Sequence, residues 1–203
     1  GAMFAVTAIL AGLLHARATG TGQVVDVAMT DGSAVLGSLF HALSQSGLWS
    51  ETRGSNLLDG SKPFYRCYAC ADGHHVAVGA LEPQFFAALV TGLGLPPDAF
   101  RQYDPSGWPA MESRFAEIFA SRPRDHWTAI FADTDACVTP VLSFAEAATH
   151  DHNAVRGTFE PVDGLVQPAP APRFGATPGR IRPERNGLIT LQAALAAWDE
   201  PNP

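Results

Sequence analysis

Cysteine is scarce in this chain, which has only Cys67, Cys70 and Cys137 among 203 residues. So sparse and odd a set argues against a disulfide-built secreted domain and points to a reducing compartment, the cytoplasm or an organelle lumen. Charge is thin as well, at 16% of residues, and its basic part is the smaller: 13 Lys and Arg against 20 Asp and Glu, a formal charge of −7. That balance argues against a surface that coats nucleic acid. The first apolar run, Met3 to Leu14, is too short to cross a bilayer, lacks a basic leader and is followed by His15 and Arg17, so a buried helix and no membrane contact are expected. Gly-rich phosphate loops, serine nucleophile elbows and HExxH zinc motifs are all missing.

What is present is apolar, 46% of the chain, enough for one large domain or one and a half ordinary ones; 16 prolines and 19 glycines add many loops. Met3 to Ala18 is apolar nearly all round and predicts a helix packed on more than one side. A turn at Thr19–Gly22, a short strand over Gln23–Asp26 and a second buried helix over Met29–Gln45 follow. Residues 64–71 and 74–80, joined by Asp72-Gly73, form a hairpin signal. Pro83 opens a helix ending near Gly92 or Gly94, and further helices follow Pro109 and Pro123, with Met111, Phe115, Phe119, Trp127 and Phe131 at core spacing. Val138–Val141 reads as a strand, Ser143–Ala148 as a short helix and Thr158–Val162 as another strand. Gln167-Pro168-Ala169-Pro170-Ala171-Pro172 is an extended connector that cannot be a central strand, and Leu188–Trp198 a closing helix.

The most informative stretch is Val76 to Phe86, because it delivers one carboxylate, Glu82, from a β-like run to the mouth of a helix. Ser, Thr, Asp and Asn serve an N-cap best, so a glutamate there breaks a local rule, as functional sites tend to. The helix N-terminus favours its ionised form, a competent base near neutral pH. The plainer reading is an exposed glutamate that gains only from the helix dipole. Cys67, Cys70, His74 and His75 invite a zinc site, but residues three apart on a strand face opposite sides, so the alternative is one buried and one outward-facing cysteine. His150 and His152 near Arg156 offer a metal or proton-transfer group, or simply solvated loop histidines. From the residues alone the chain is an α/β domain with one conspicuous glutamate.

Several runs in one order resemble the α-methylacyl-CoA racemases of the family III CoA-transferase group: Gly20-Thr21-Gly22-Gln23-Val24-Val25-Asp26, Arg53 to Gly60 with Pro63-Phe64-Tyr65, Val76 to Phe86, Thr134 to Val141, and His150-Asp151-His152-Asn153. The resemblance covers Met3 to Gly179. It implies linker helices on the large-domain side over residues 1–48, a small α+β domain with an antiparallel hairpin sheet over 49–165, and a Pro-rich return segment with a terminal helix over 166–203. It also implies a cytoplasmic isomerase of fatty-acid metabolism that epimerises 2-methylacyl-CoA by proton transfer at the α-carbon, with acyl-CoA as substrate, no metal or redox cofactor, and a homodimeric assembly.

By that resemblance Glu82 is one of two acid-base groups, and Leu58, Tyr65 and Leu81 line the acyl pocket, an apolar wall that tends to raise the pKa of a carboxylate. The opposing group, a histidine paired with an aspartate, precedes the first residue here. The chain therefore reads as the C-terminal part of a racemase, lacking the nucleotide-binding half and inactive alone. Ile189 stands where relatives carry a histidine in a Gly-x-His-Thr motif. A CoA-transferase of the same group and a non-catalytic assembly or dimerisation module are the alternatives.

Overall fold

The three-stranded sheet at the centre of the first unit is built from a hairpin and a later third strand, and its middle strand leads into the turn that carries Glu82. A computed structural model describes residues 1–181, 190–192 and 195, and divides the chain into two units, residues 1–141 and residues from 142 onward. The expected helix over 188–198 and the Ile189 position lie outside the described residues apart from isolated positions.

In the first unit, α1 (Ala2–Thr19), α2 (Met29–Leu36) and α3 (Ser38–Gln45) precede β1 (Tyr65–Ala69) and β2 (His75–Gly79). Helices α4 (Pro83–Gly92), α5 (Trp108–Phe119) and α6 (Arg124–Phe131) then lead to β3 (Val138–Val141). The strand order is β1-β2-β3, antiparallel throughout, with Cys67 opposite Ala77 and Ala77 opposite Thr139. The β1–β2 turn closes as the Asp-Gly pair predicts: Gly73 takes φ 78°, which glycine adopts without a Cβ clash, and the Cys70 N–H donates to the His74 carbonyl at 2.8 Å.

Alternation along the strands gives the sheet two unlike faces. Tyr68, Val76, Val78 and Val138 are buried and pack with Phe86, Leu89 and Val90 of α4, Met111, Phe115 and Phe119 of α5, and Trp127 and Phe131 of α6. Two aromatic side chains taken inside find partners for their polar atoms: the Tyr68 hydroxyl donates to the Pro63 carbonyl at 2.6 Å, and Trp127 Nε1 to the Phe119 carbonyl at 2.9 Å, whereas the buried Arg66 Nε has no hydrogen-bond partner. Arg66 forms an ion pair with Glu112 across β1 and α5. The other face carries Cys67, Ala77, Gly79 and Thr139, with Tyr65 at its edge.

Three expectations are corrected in the first 48 residues. Neither α1 nor α3 contains a buried residue, and Met3 and Leu14 are 72% and 66% exposed, so the apolar helices are not buried within this chain. At 18 residues α1 is also longer than the apolar run, and by length and composition alone it meets the requirement for a membrane span. No strand forms over 23–26, where Val24 is 98% exposed and has no neighbouring strand with which to pair. The helix expected over 29–45 breaks at Gly37, where the Ser38 hydroxyl donates to the Val35 carbonyl at 2.6 Å and competes with the helical ladder. Gly32 lies directly under the Phe4 ring, which is how α2 approaches α1.

In the second unit, α7 (Phe144–Thr149) begins with a reciprocal capping box between Ser143 and Glu146. α8 (Asp151–Arg156) ends at Gly157, and β4 (Phe159–Val162) pairs with β5 (Leu165–Pro168) through Asp163-Gly164, both at positive φ. β5 goes beyond the sequence expectations, although Asp-Gly between apolar runs is a two-residue hairpin signal. Its proline is tolerated because a two-stranded ribbon has only edges.

Candidate active site

β2 ends at Gly79 and α4 begins at Pro83, so the chain must turn from strand to helix over Ala80, Leu81 and Glu82. The Leu81 N–H closes a tight turn onto the Gly79 carbonyl at 2.9 Å, and Ala80 is fully buried. Glu82 occupies the N-cap with φ −81° and ψ 147°, extended as a cap residue should be, and Pro83 follows in the first turn. Its backbone carbonyl accepts the Phe86 N–H at 3.0 Å, while its side chain makes no capping hydrogen bond and is exposed. The main chain of Glu82 is held on the helix side, and its carboxylate is left free of the cap.

Cross-strand pairing sets Tyr65 opposite Gly79, and Cys137 completes that row on the far side, its carbonyl accepting the Gly79 N–H at 2.9 Å. A Cβ at position 79 would stand at ordinary contact distance from Cys137, 3.9 Å, and from the Tyr65 ring, 4.0 Å. On this face lies a recess of about 480 Å³, lined among others by Gly60, Tyr65, Cys67, Ala77, Gly79 and Cys137. That volume lies within the span of small-ligand sites, roughly 300–1,000 Å³. Burial first, then the nearby carboxylates of Glu82 and Asp135, push the Cys137 thiol above its ordinary pKa. Neither Glu82 nor Leu81 is among the residues that line the recess, whose nearest lining residue along the chain is Gly79 at the end of β2.

The predicted residues are distributed unevenly around it. Tyr65 lines the recess. Leu81 is half-buried against the core beside Glu82. Leu58 is half-buried on the loop that also supplies Gly60, and is not among the lining residues. That loop is tied by Asp59, which accepts the N–H groups of Asn56 at 3.0 Å and Ser61 at 3.2 Å. The Ser61 side chain, whose hydroxyl also reaches the Asn56 carbonyl, and then the Asn56 N–H lower the Asp59 pKa to about 2.

Cys137 lines the recess, a place that no pattern in the sequence singles out. It sits at φ 52°, rare for a residue with a Cβ, and only the folded row beside Gly79 shows its place. Cys67 and Cys70 face opposite ways: Cys67 is exposed on the recess side, while Cys70 is buried and its thiol pKa is raised by burial and then by Asp72. His74 and His75 are exposed, and His150 caps α8 while His152 lies within it. Among the described residues no group of three or more His, Cys, Asp or Glu side chains converges.

The sequence matches the family model for CoA-transferase family III over residues 1–185. It is 44% identical over 181 residues to the α-methylacyl-CoA racemase of Mus musculus, covering 88% of this chain and 47% of the relative. It is likewise 44% identical over 182 residues to that of Homo sapiens, with the same coverage. The chain thus spans just under half the length of these relatives. A crystal structure of a CaiB/BaiF family protein from Brucella suis superposes with a TM-score of 0.70 at 22% identity, over 97% of this chain and 53% of that one. The mixed α/β architecture is the one they share, and the chain belongs to CoA-transferase family III.

Proposed function

We propose that this chain supplies one of the two acid-base groups of an α-methylacyl-CoA racemase, an isomerase acting on 2-methylacyl-CoA thioesters, and that Glu82 is that group. The observation that carries the reading is the exposed, uncapped carboxylate of Glu82 at the strand-to-helix junction, three residues along the chain from Gly79, which lines an open recess on the sheet. The 44% identity to the racemases supports the substrate class.

The chemistry asks for little more from this chain. The carbon beside a thioester carbonyl loses its proton to a carboxylate on one face, the electron pair moves into the carbonyl as an enolate, and a proton returns to carbon from a second group on the other face. In the opposite direction Glu82 gives the proton back. One carboxylate cannot serve both faces, so the 203 residues alone are expected to be inactive. Tyr65, Leu81 and Leu58 border the acyl group in this reading, no metal or redox cofactor takes part, and the working protein is a homodimer. Residues 1–48 are linker helices that face a large domain, which accounts for their exposed apolar side chains. Because the chain is acidic, the charge that holds anionic CoA comes from that large domain.

The test is deuterium wash-in at the α-carbon of 2-methylacyl-CoA by the whole protein, without any acceptor acid. Racemase action predicts exchange, and Glu82→Gln predicts a loss of at least about a hundredfold, the usual scale for a general acid-base group. A second reading, CoA transfer, is favoured by the family model itself and predicts CoA exchange between acids with no wash-in. Turnover left intact by Glu82→Gln would instead make this region an assembly module.

A further inference from the structure

Two residues far along the chain take hold of the backbone immediately before Glu82. The buried side-chain amide of Gln102, 8% exposed, donates to the carbonyls of Ala80 at 3.0 Å and Leu81 at 2.8 Å. The Tyr103 hydroxyl donates to the same Leu81 carbonyl at 2.6 Å. We propose that Gln102 and Tyr103 are positioning residues that aim Glu82, a proposal that rests on the proton-transfer reading above and deepens it.

The physical case begins with what a strand-to-helix junction leaves undone. The carbonyls of Ala80 and Leu81 have left the sheet ladder and do not yet belong to the helix, so nothing in the local backbone fixes the peptide plane that enters Glu82. Gln102 and Tyr103 supply the missing donors. With the Leu81 carbonyl clamped on one side and the Glu82 carbonyl bound by the Phe86 N–H on the other, the Glu82 main chain is held at both ends and only its side chain remains free.

The clamp is itself anchored. The Gln102 carbonyl accepts from Trp108 Nε1 at 2.8 Å, and Trp108 and Tyr103 both stand edge-on to the buried ring of Phe64, at 6.2 and 6.0 Å between centroids. Asp104 fixes the next turn by accepting the Ser106 hydroxyl at 2.6 Å and its N–H at 3.0 Å. Tyr103 is 59% exposed, so its hydroxyl adds little to stability, and what it governs is where the Leu81 carbonyl points. A misplacement of about 1 Å in a reacting group can cost about a hundredfold in rate.

The experiment is a double-substitution cycle in the whole protein, read by deuterium wash-in, with amide hydrogen exchange over residues 81–86 as a readout that needs no activity. Gln102→Met keeps the shape and removes the donor. It is expected to lower kcat by about thirty- to a hundredfold with KM held within about twofold. Tyr103→Phe, which spares the fold, is expected to lower kcat by about three- to tenfold. Both act through Glu82, so Gln102→Met on top of Glu82→Gln should cost almost nothing further, whereas an independent structural role would multiply the two losses. Exchange over 81–86 should quicken in both clamp variants while Val76 stays protected. Unchanged kcat in the clamp variants beside an impaired Glu82→Gln, or multiplying losses, overturns the proposal. An active Glu82→Gln would sink the proton-transfer reading instead; unchanged exchange over 81–86 would sink the clamp in either case.

Discussion

Helix α1 and helix α5 are both rich in apolar side chains, yet they end in opposite situations. Met111, Phe115 and Phe119 of α5 are fully buried against the sheet, whereas Ile9, Leu10 and Leu13 of α1 are more than half exposed. The difference teaches that apolar content fixes what a helix needs and not where the need is met. α5 recurs apolar on one stripe and finds a sheet face within its own unit. α1 is apolar all round and approaches α2 at Phe4–Gly32 and the Val25 side chain at Gly12, yet no residue of it is buried.

The comparison can be broken by substitution. Phe115→Ala removes a ring that touches Tyr68, Phe86 and Phe100, and should destabilise the chain by about 3–5 kcal/mol, seen as a lower urea midpoint at unchanged slope. A loss below about 1 kcal/mol would mean that α5 is no more committed to the core than α1. Asp59, in the loop between the two regions, tests whether that loop belongs to the folded core. Its carboxylate is held at about 2, below the ordinary 3.8, so its contribution is fully present above that ordinary value and is lost as pH falls through about 2. Asp59→Asn should flatten the acid limb of stability in that window, and an unchanged limb would leave the loop energetically silent. The smallest effect is expected at Leu10→Ala, within about 0.5 kcal/mol in this chain, as for other exposed positions. A cost comparable to Phe115→Ala would contradict the exposure of α1.

The local structure around Glu82 was legible because its signals are local. Asp72-Gly73 sets the hairpin turn, Pro83 opens α4 at its first position, and the glutamate before it falls at the N-cap, all within one short stretch of chain. Elsewhere the same kind of signal was present but incomplete. Gln23–Asp26 has strand composition with no partner strand, and Gly37 interrupts a helical pattern that periodicity alone would continue through. The Asp163-Gly164 pair carried a hairpin that the neighbouring prolines obscured. Gln102 and Tyr103 were beyond reach of any local rule, since their bonds to the Leu81 carbonyl span 21 and 22 positions and depend on how the loop after α4 folds back. The unusual φ of Cys137 is likewise a product of the row it completes and not of its neighbours in sequence.

The most direct test of the central claim is the rate at which solvent deuterium enters the α-carbon of 2-methylacyl-CoA, compared between the unaltered whole protein and its Glu82→Gln variant. The account predicts exchange in the first and at least about a hundredfold less in the second. Equal rates in the two, or exchange in neither beside active CoA transfer, would contradict it.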